Sequence, residues 1–133
     1  MIRLTNGQPA IPALTLYERT PQNGFDKWYL LEFYSNDDLS SKVMRLGNEL
    51  SGNVLRFNKF LMHVVVDQAS EDLSQQLIYL PIGSTYDYRV YITYDENSND
   101  IDGLSPIESG LVTVENYGST TSYNEANNII TFE

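Results

Sequence analysis

The sequence runs to 133 residues, enough for one domain whose core buries about two thirds of the surface its unfolded chain exposes. It has no cysteine, which excludes disulfides, thiolate nucleophiles and sulfur-ligated metals. A net charge of −10 argues against grasping nucleic acid through its phosphates, which takes clustered Lys and Arg.

That charge is uneven. Residues 1–60 hold seven of the eight basic residues and six acids, whereas residues 61–133 hold twelve acids and Arg89 alone. The pattern reads as a solvated acidic face, with a polarity that suits ordered assembly. No window approaches the roughly 20 apolar residues of a membrane span, and the expectation is a soluble, unexported chain without a signal peptide. Ten tyrosines against one tryptophan favour half-buried strand positions and recognition surfaces.

In chain order the dominant period is two, that of strands. After a lead punctuated by Pro9 and Pro12, residues 14–18 read as a first strand, and residues 20–24 carry turn chemistry through Pro21 and Asn23-Gly24. Residues 28–34 alternate Tyr29, Leu31 and Phe33 against Trp28, Leu30 and Glu32, as a core strand does. Residues 39–50 place Leu39, Val43, Leu46 and Leu50 at helical spacing and fit either a helical turn or an irregular strand. Residues 54–67 form a long strand with a slip of phase. Leu55 and Phe57 share one parity, and Phe60, Met62, Val64 and Val66 the other, which predicts a bulge near Asn58 and Lys59. Residues 75–80 are a further strand. Residues 85–95 are the clearest of all, with Tyr86, Tyr88, Val90, Ile92 and Tyr94 on one face. An acidic loop follows at 96–103, then a strand at 107–115. Residues 116–128 read as a linker, and Ile129, Ile130 and Phe132 mark a short last strand.

About seven to eight short strands at even spacing predict an all-β sandwich or barrel. The organisation expected is an N-terminal arm over 1–13, a sandwich over 14–115 and a C-terminal tail over 116–133. Leu80, Pro81, Gly83, Tyr86 and Val90 resemble the E–F corner of fibronectin type III and related immunoglobulin-like domains, with the proline displaced by one position. The resemblance implies an immunoglobulin-like antiparallel β-sandwich, with Leu80, Gly83 and Tyr86 as corner residues and Trp28 as the central core aromatic.

A second resemblance is narrower. A short apolar start, an aromatic strand, Arg56-Phe57-Asn58, the Pro-x-Gly turn into a Tyr-rich strand and a Val-Glu-rich strand together look like small virion proteins of tailed phages infecting Bacteroidota. That likeness implies an auxiliary capsid, decoration or head–tail subunit, located in the virion after assembly in the host cytoplasm. Its partners would be major capsid or portal and head–tail subunits, met in repeated copies of a symmetric assembly, with no nucleic acid, membrane or cofactor.

The chemistry of sites offers little. His63 is the lone histidine and reads as a hydrogen-bonded or surface strand residue, so triads and zinc sites have nothing to build on. Asp95, Asn97 and Asn99 have the alternate spacing that aims oxygens inward in Ca²⁺ loops, but Asp100 and Pro106 stand where an EF-hand needs Gly and Glu. A solvated loop is the plainer reading. The adjacent pairs Asp37-Asp38 and Glu71-Asp72 read as loop charge rather than a glycosidase acid and base. Lys42, Arg45, Arg56 and Lys59 could make a modest basic patch, but read rather as edge-strand charges that block unwanted pairing or dock a neighbour's acidic face. The expected function is therefore non-catalytic contact with other proteins, through Tyr17, Tyr91, Ile129, Ile130 and Phe132. The alternative is a carbohydrate- or receptor-binding module, marked by a planar exposed cluster of Tyr17, Trp28 or Tyr91.

Overall fold

The computed structural model describes residues 1–16, 19–21, 23–47, 58–83 and 85–116. Expectations for Tyr17, Leu55, Phe57, Ile129, Ile130 and Phe132 lie outside the described residues. Within them run ten strands: β1 (Ile2–Thr5), β2 (Pro9–Ala10), β3 (Ala13–Leu14), β4 (Trp28–Ser35), β5 (Ser41–Arg45), β6 (Asn58–Lys59), β7 (Met62–Val65), β8 (Leu77–Tyr79), β9 (Thr85–Thr93) and β10 (Glu108–Glu115). Short 3₁₀ turns at Gln68–Ser70 and Leu73–Gln75 are capped by the Asp67 and Asp72 carboxylates, which accept from the amides of Ser70 and Ser74. The fold is mostly β, in sheets packed on one another.

The larger sheet has the order β1-β10-β9-β4-β5. Its spine is the antiparallel pair β4 and β9, in register from Trp28 opposite Thr93 to Ser35 opposite Tyr86. Period-two alternation explains why these two strands form. Tyr29, Leu31 and Phe33 of β4 and Tyr86, Tyr88 and Val90 of β9 all turn to the core side.

The opposing layer holds the sheet β2-β7-β8 and the two-stranded pair β3-β6. These ladders share one register: Pro9 opposes His63, Ala10 Met62, Ala13 Lys59 and Leu14 Asn58. The pairing steps residue for residue across the gap, where Pro12 brings no N–H to donate. No residue is inserted between Asn58 and His63, so this stretch of the ladder has no bulge.

The two layers enclose a core in which Leu4, Leu14, Leu16, Leu31, Met44, Val64, Ile78, Leu80, Val90 and Val112 are fully buried. Each such side chain contributes about 1.5–3 kcal/mol relative to exposure. Two expectations are corrected. Residues 1–13 are not a free arm, because Ile2 and Leu4 bury into the core and β1 pairs with β10. The sandwich is not purely antiparallel, because β1 runs parallel to β10 and β7 parallel to β8. In the ambiguous region 39–50, β5 pairs antiparallel with β4.

The segment likened to an E–F corner has Leu80 fully buried, Gly83 at a φ of 81° and Tyr86 buried at the start of β9. Trp28 is not at the centre of the core. It begins β4 half-buried on the outer face of the sheet, and the core aromatics are Phe33, Phe60, Tyr86 and Tyr88.

Candidate ligand-binding surface

Two buried carboxylates hold the strands in place, and neither stood out in the sequence. Glu108 lies between the layers. Its Oε1 accepts from the Thr15 amide at 2.8 Å and the Thr15 hydroxyl at 2.9 Å, and its Oε2 accepts from the Tyr88 hydroxyl at 2.7 Å. Burial, and then this hydrogen bond to a carboxylate, push the Tyr88 phenol well above its ordinary range. On the outer face, Glu32 accepts from the Tyr91 hydroxyl at 2.8 Å and from Arg89 at 3.4 Å, while the Arg89 guanidinium lies 5.1 Å from the Tyr34 ring. Burial raises the Tyr91 phenol too, with Glu32 adding to it. Tyr91 is only 5 % exposed. It is therefore a sheet residue, not the exposed contact residue expected, because Glu32, diagonally across the spine and opposite Arg89, supplies an acceptor for its hydroxyl.

The acidic loop after β9 is organised by a cation that the chain supplies. Arg45, at the end of β5, donates through Nε to Asn99 Oδ1 at 3.1 Å, and through Nη2 to the carbonyls of Asp95, at 3.0 Å, and of Ser98. Its Nη1 is buried without an acceptor among the described residues. Of the trio considered for calcium, Asn99 and the Asp95 carbonyl thus serve a guanidinium, and the Asp95 carboxylate accepts from the Asn97 amide at 2.9 Å. Among the described residues no three of His, Cys, Asp and Glu gather as a metal site would require.

Lys42, Glu71, Asp72 and Asp38 are likewise engaged. Lys42 bonds Glu71 at 2.7 Å and the Tyr79 carbonyl at 2.7 Å, so Glu71, between the two 3₁₀ turns, serves an ion pair with β5. Asp72 caps its 3₁₀ turn, and Asp38 accepts from the Ser40 hydroxyl and amide, which holds its carboxyl below the usual range. His63 sits half-buried in β7 between Pro9 and Leu77, beside a hollow of about 410 Å³ lined chiefly by apolar groups and the Gln75 and Gln76 amides.

One surface hollow does gather recognition chemistry. Asn23, Phe25, Asp26, Trp28 and Tyr94 line a space of about 490 Å³ where the turn before β4 meets the end of β9. Phe25 is 68 % and Tyr94 50 % exposed, and their rings stand 6.2 Å apart at 83°. The turn is fixed locally: Gly24 takes a φ of 80°, and the Asn23 side chain accepts from the Phe25 amide and donates to the Tyr94 hydroxyl at 3.2 Å. Arg45 lies 6.0 Å from the Trp28 ring without lining the space. Large exposed aromatics in a hollow mark binding sites more often than chance exposure does. Of the cluster expected for carbohydrate, Tyr91 is buried and Trp28 half-buried, and Phe25 went unnoticed because an isolated Phe in a turn has no periodic context. Among the described residues no helix is long and apolar enough to cross a membrane. No protein-family model matches the chain, and comparison with curated proteins finds no match.

Proposed function

We propose that this chain is an immunoglobulin-like β-sandwich serving, without catalysis, as a structural subunit of a tailed-phage particle, of auxiliary capsid or head–tail type. The fold half of this reading is supported by strand order. The sequence β10-β9-β4-β5 follows the G-F-C-C′ order of such domains, and the tyrosine at the E–F corner opens the F-like strand β9. The functional half rests on the resemblance of the strand sequence to small virion proteins. One observation carries it further. Among the described residues β1 ends the larger sheet and β2 the smaller, and beside them residues of 1–13 line a groove of about 210 Å³. Met1 and Ile11 stand 70 % and 53 % exposed there. An open edge beside exposed apolar groups is a template for adding a strand from a neighbour. The short apolar run Ile129, Ile130 and Phe132, with Ile130 and Phe132 two residues apart, has the composition of such a donor strand.

The test is size and mass analysis of the isolated protein, then of its mixtures with capsid, portal and head–tail proteins encoded beside it. A defined complex is expected, weakened by Ile11→Asp with the fold intact. A monomer that ignores every such partner would sink the reading.

A further inference from the structure

The hollow around Trp28 has the composition and shape of a cation cage, and we propose that it binds a methylated ammonium group. Three aromatic residues, Phe25, Trp28 and Tyr94, border it, and Asp26 is its charged lining residue. The Asp26 carboxylate makes no hydrogen bond or ion pair among the described residues, so its charge is open to a ligand. The chain's own nearby cations are already bonded, with the Arg45 guanidinium also 6.0 Å from the Trp28 ring. Lys27 Nζ bonds the Phe25 carbonyl at 2.9 Å and Arg45 holds the acidic loop, and neither lines the space. The loop that follows Tyr94 adds Asp95 and Glu96, which draw cations to this end of the sheet.

Shape separates a cation from a sugar. A pyranose stacks its flat C–H face on one ring or on a coplanar pair. Here the two most exposed rings meet edge to face, at 83°, and so form no flat platform. A tetrahedral ammonium gains from aromatic groups on several sides at once, because each ring directs its negative quadrupole at the charge. Methyl groups lower the cost of removing that charge from water and fill the apolar walls. A nucleotide is disfavoured by the acidic loop. The inference stands on the hollow alone and is independent of the assembly reading.

Trp28 is the sole tryptophan, so its fluorescence reports the site directly. The full chain is titrated with choline and, in parallel, with 3,3-dimethylbutan-1-ol, which replaces the ammonium nitrogen by carbon. A saturable response is expected with choline at concentrations at least tenfold lower than with the neutral alcohol. Asp26→Asn and Phe25→Ala each weaken it at least threefold while the circular dichroism spectrum is unchanged; both positions are exposed, so the fold survives their substitution. Arms with phosphocholine vesicles and with a trimethyl-lysine peptide against its unmethylated form rank the source of the group. Equal response to the neutral alcohol, response to hexoses in place of choline, no response, or a choline response unaffected by Phe25→Ala would each overturn the proposal.

Discussion

A Cβ on Gly110 would stand 2.6 Å from Cε2 of Tyr88, the residue directly across the ladder from it. The Tyr88 ring lies over the bare backbone of β10 and so reaches Glu108, two residues along on the same strand. Glycine is needed here for the space it leaves, because the ring cannot retreat without giving up the buried carboxylate. Gly110→Ala is expected to destabilise by about 1–3 kcal/mol, the usual cost of overpacking. The measurement is the urea midpoint at constant slope, and Gly110→Ala combined with Tyr88→Ala should cost less than the sum of the two.

Glu108 ties three groups from two layers, so its removal orphans donors on both sides. Glu108→Ala leaves the amide and hydroxyl of Thr15 and the hydroxyl of Tyr88 without their acceptor. At about 1–3 kcal/mol per unsatisfied buried group, partly relieved by relaxation, a loss of about 3 kcal/mol is expected. Glu108→Gln keeps the Oε1 acceptor for Thr15 and should cost roughly 1 kcal/mol. Equilibrium denaturation of both variants checks the ordering, and equal losses would show that the carboxylate's geometry is not what matters.

The two raised phenols predict alkaline sensitivity. Tyr88 and Tyr91 bind their protons more tightly in the folded chain than in the unfolded one. Above about pH 10 an unfolded tyrosine is losing its proton while the folded one retains it, so the unfolded state binds fewer protons. Stability is then complete below pH 10 and falls above it, by up to about 1.4 kcal/mol per pH unit for each phenol. Urea midpoints from pH 8 to pH 11 should fall for the native chain. The decline should be shallower in Tyr88→Phe and shallowest when Tyr91→Phe is added.

What could be read from the sequence follows the range of the interactions. β4, β9 and β10 were expected within about two residues of their observed ends, since alternation of Leu31 with Glu32, or Tyr88 with Arg89, is a local signal. β1 was hidden because Ile2 and Leu4 form a two-residue apolar pattern whose partners are Val112 and Val114, on the last described strand. β5 was ambiguous because Val43 lies on the outer face while Met44 and Leu46 are buried, which mimics helical spacing. The sites fared worse for the same reason. Glu32 with Tyr91, and Phe25 with Tyr94, are separated by about sixty residues or more and meet only through the β4–β9 spine.

Arg45 is the anchor of the acidic loop, and its forked geometry matters. A lysine offers a single compact ammonium that cannot span Asn99 Oδ1 and two carbonyls at once. Arg45→Lys is expected to cost about 1–2 kcal/mol. It should also raise amide exchange across residues 95–103 at least tenfold, while β4 and β9 stay protected. Added Ca²⁺ should not restore protection, because the oxygens involved are carbonyl and amide groups aimed at β5. Recovery in millimolar Ca²⁺ would return the loop to the metal-binding reading.

Leu39 and Gln76 share the left-handed backbone, with φ of 60° and 58°, yet the same substitution should move them in opposite directions. A non-glycine residue there carries about 1–2 kcal/mol of strain. Leu39 is 71 % exposed in the turn between β4 and β5, so its side chain gives little back. Leu39→Asn is expected to stabilise by about 0.5–1 kcal/mol, since asparagine tolerates this conformation. Gln76 instead donates from Nε2 to the Arg45 carbonyl at 2.9 Å, joining the 3₁₀ turn to the end of β5. Gln76→Asn eases the same strain but is too short to hold that bond, and a loss of about 0.5 kcal/mol remains. Thermal melts of the two variants should therefore shift to opposite sides of the parent. A gain at both positions would mean that the Gln76 bond contributes nothing to holding the layers together.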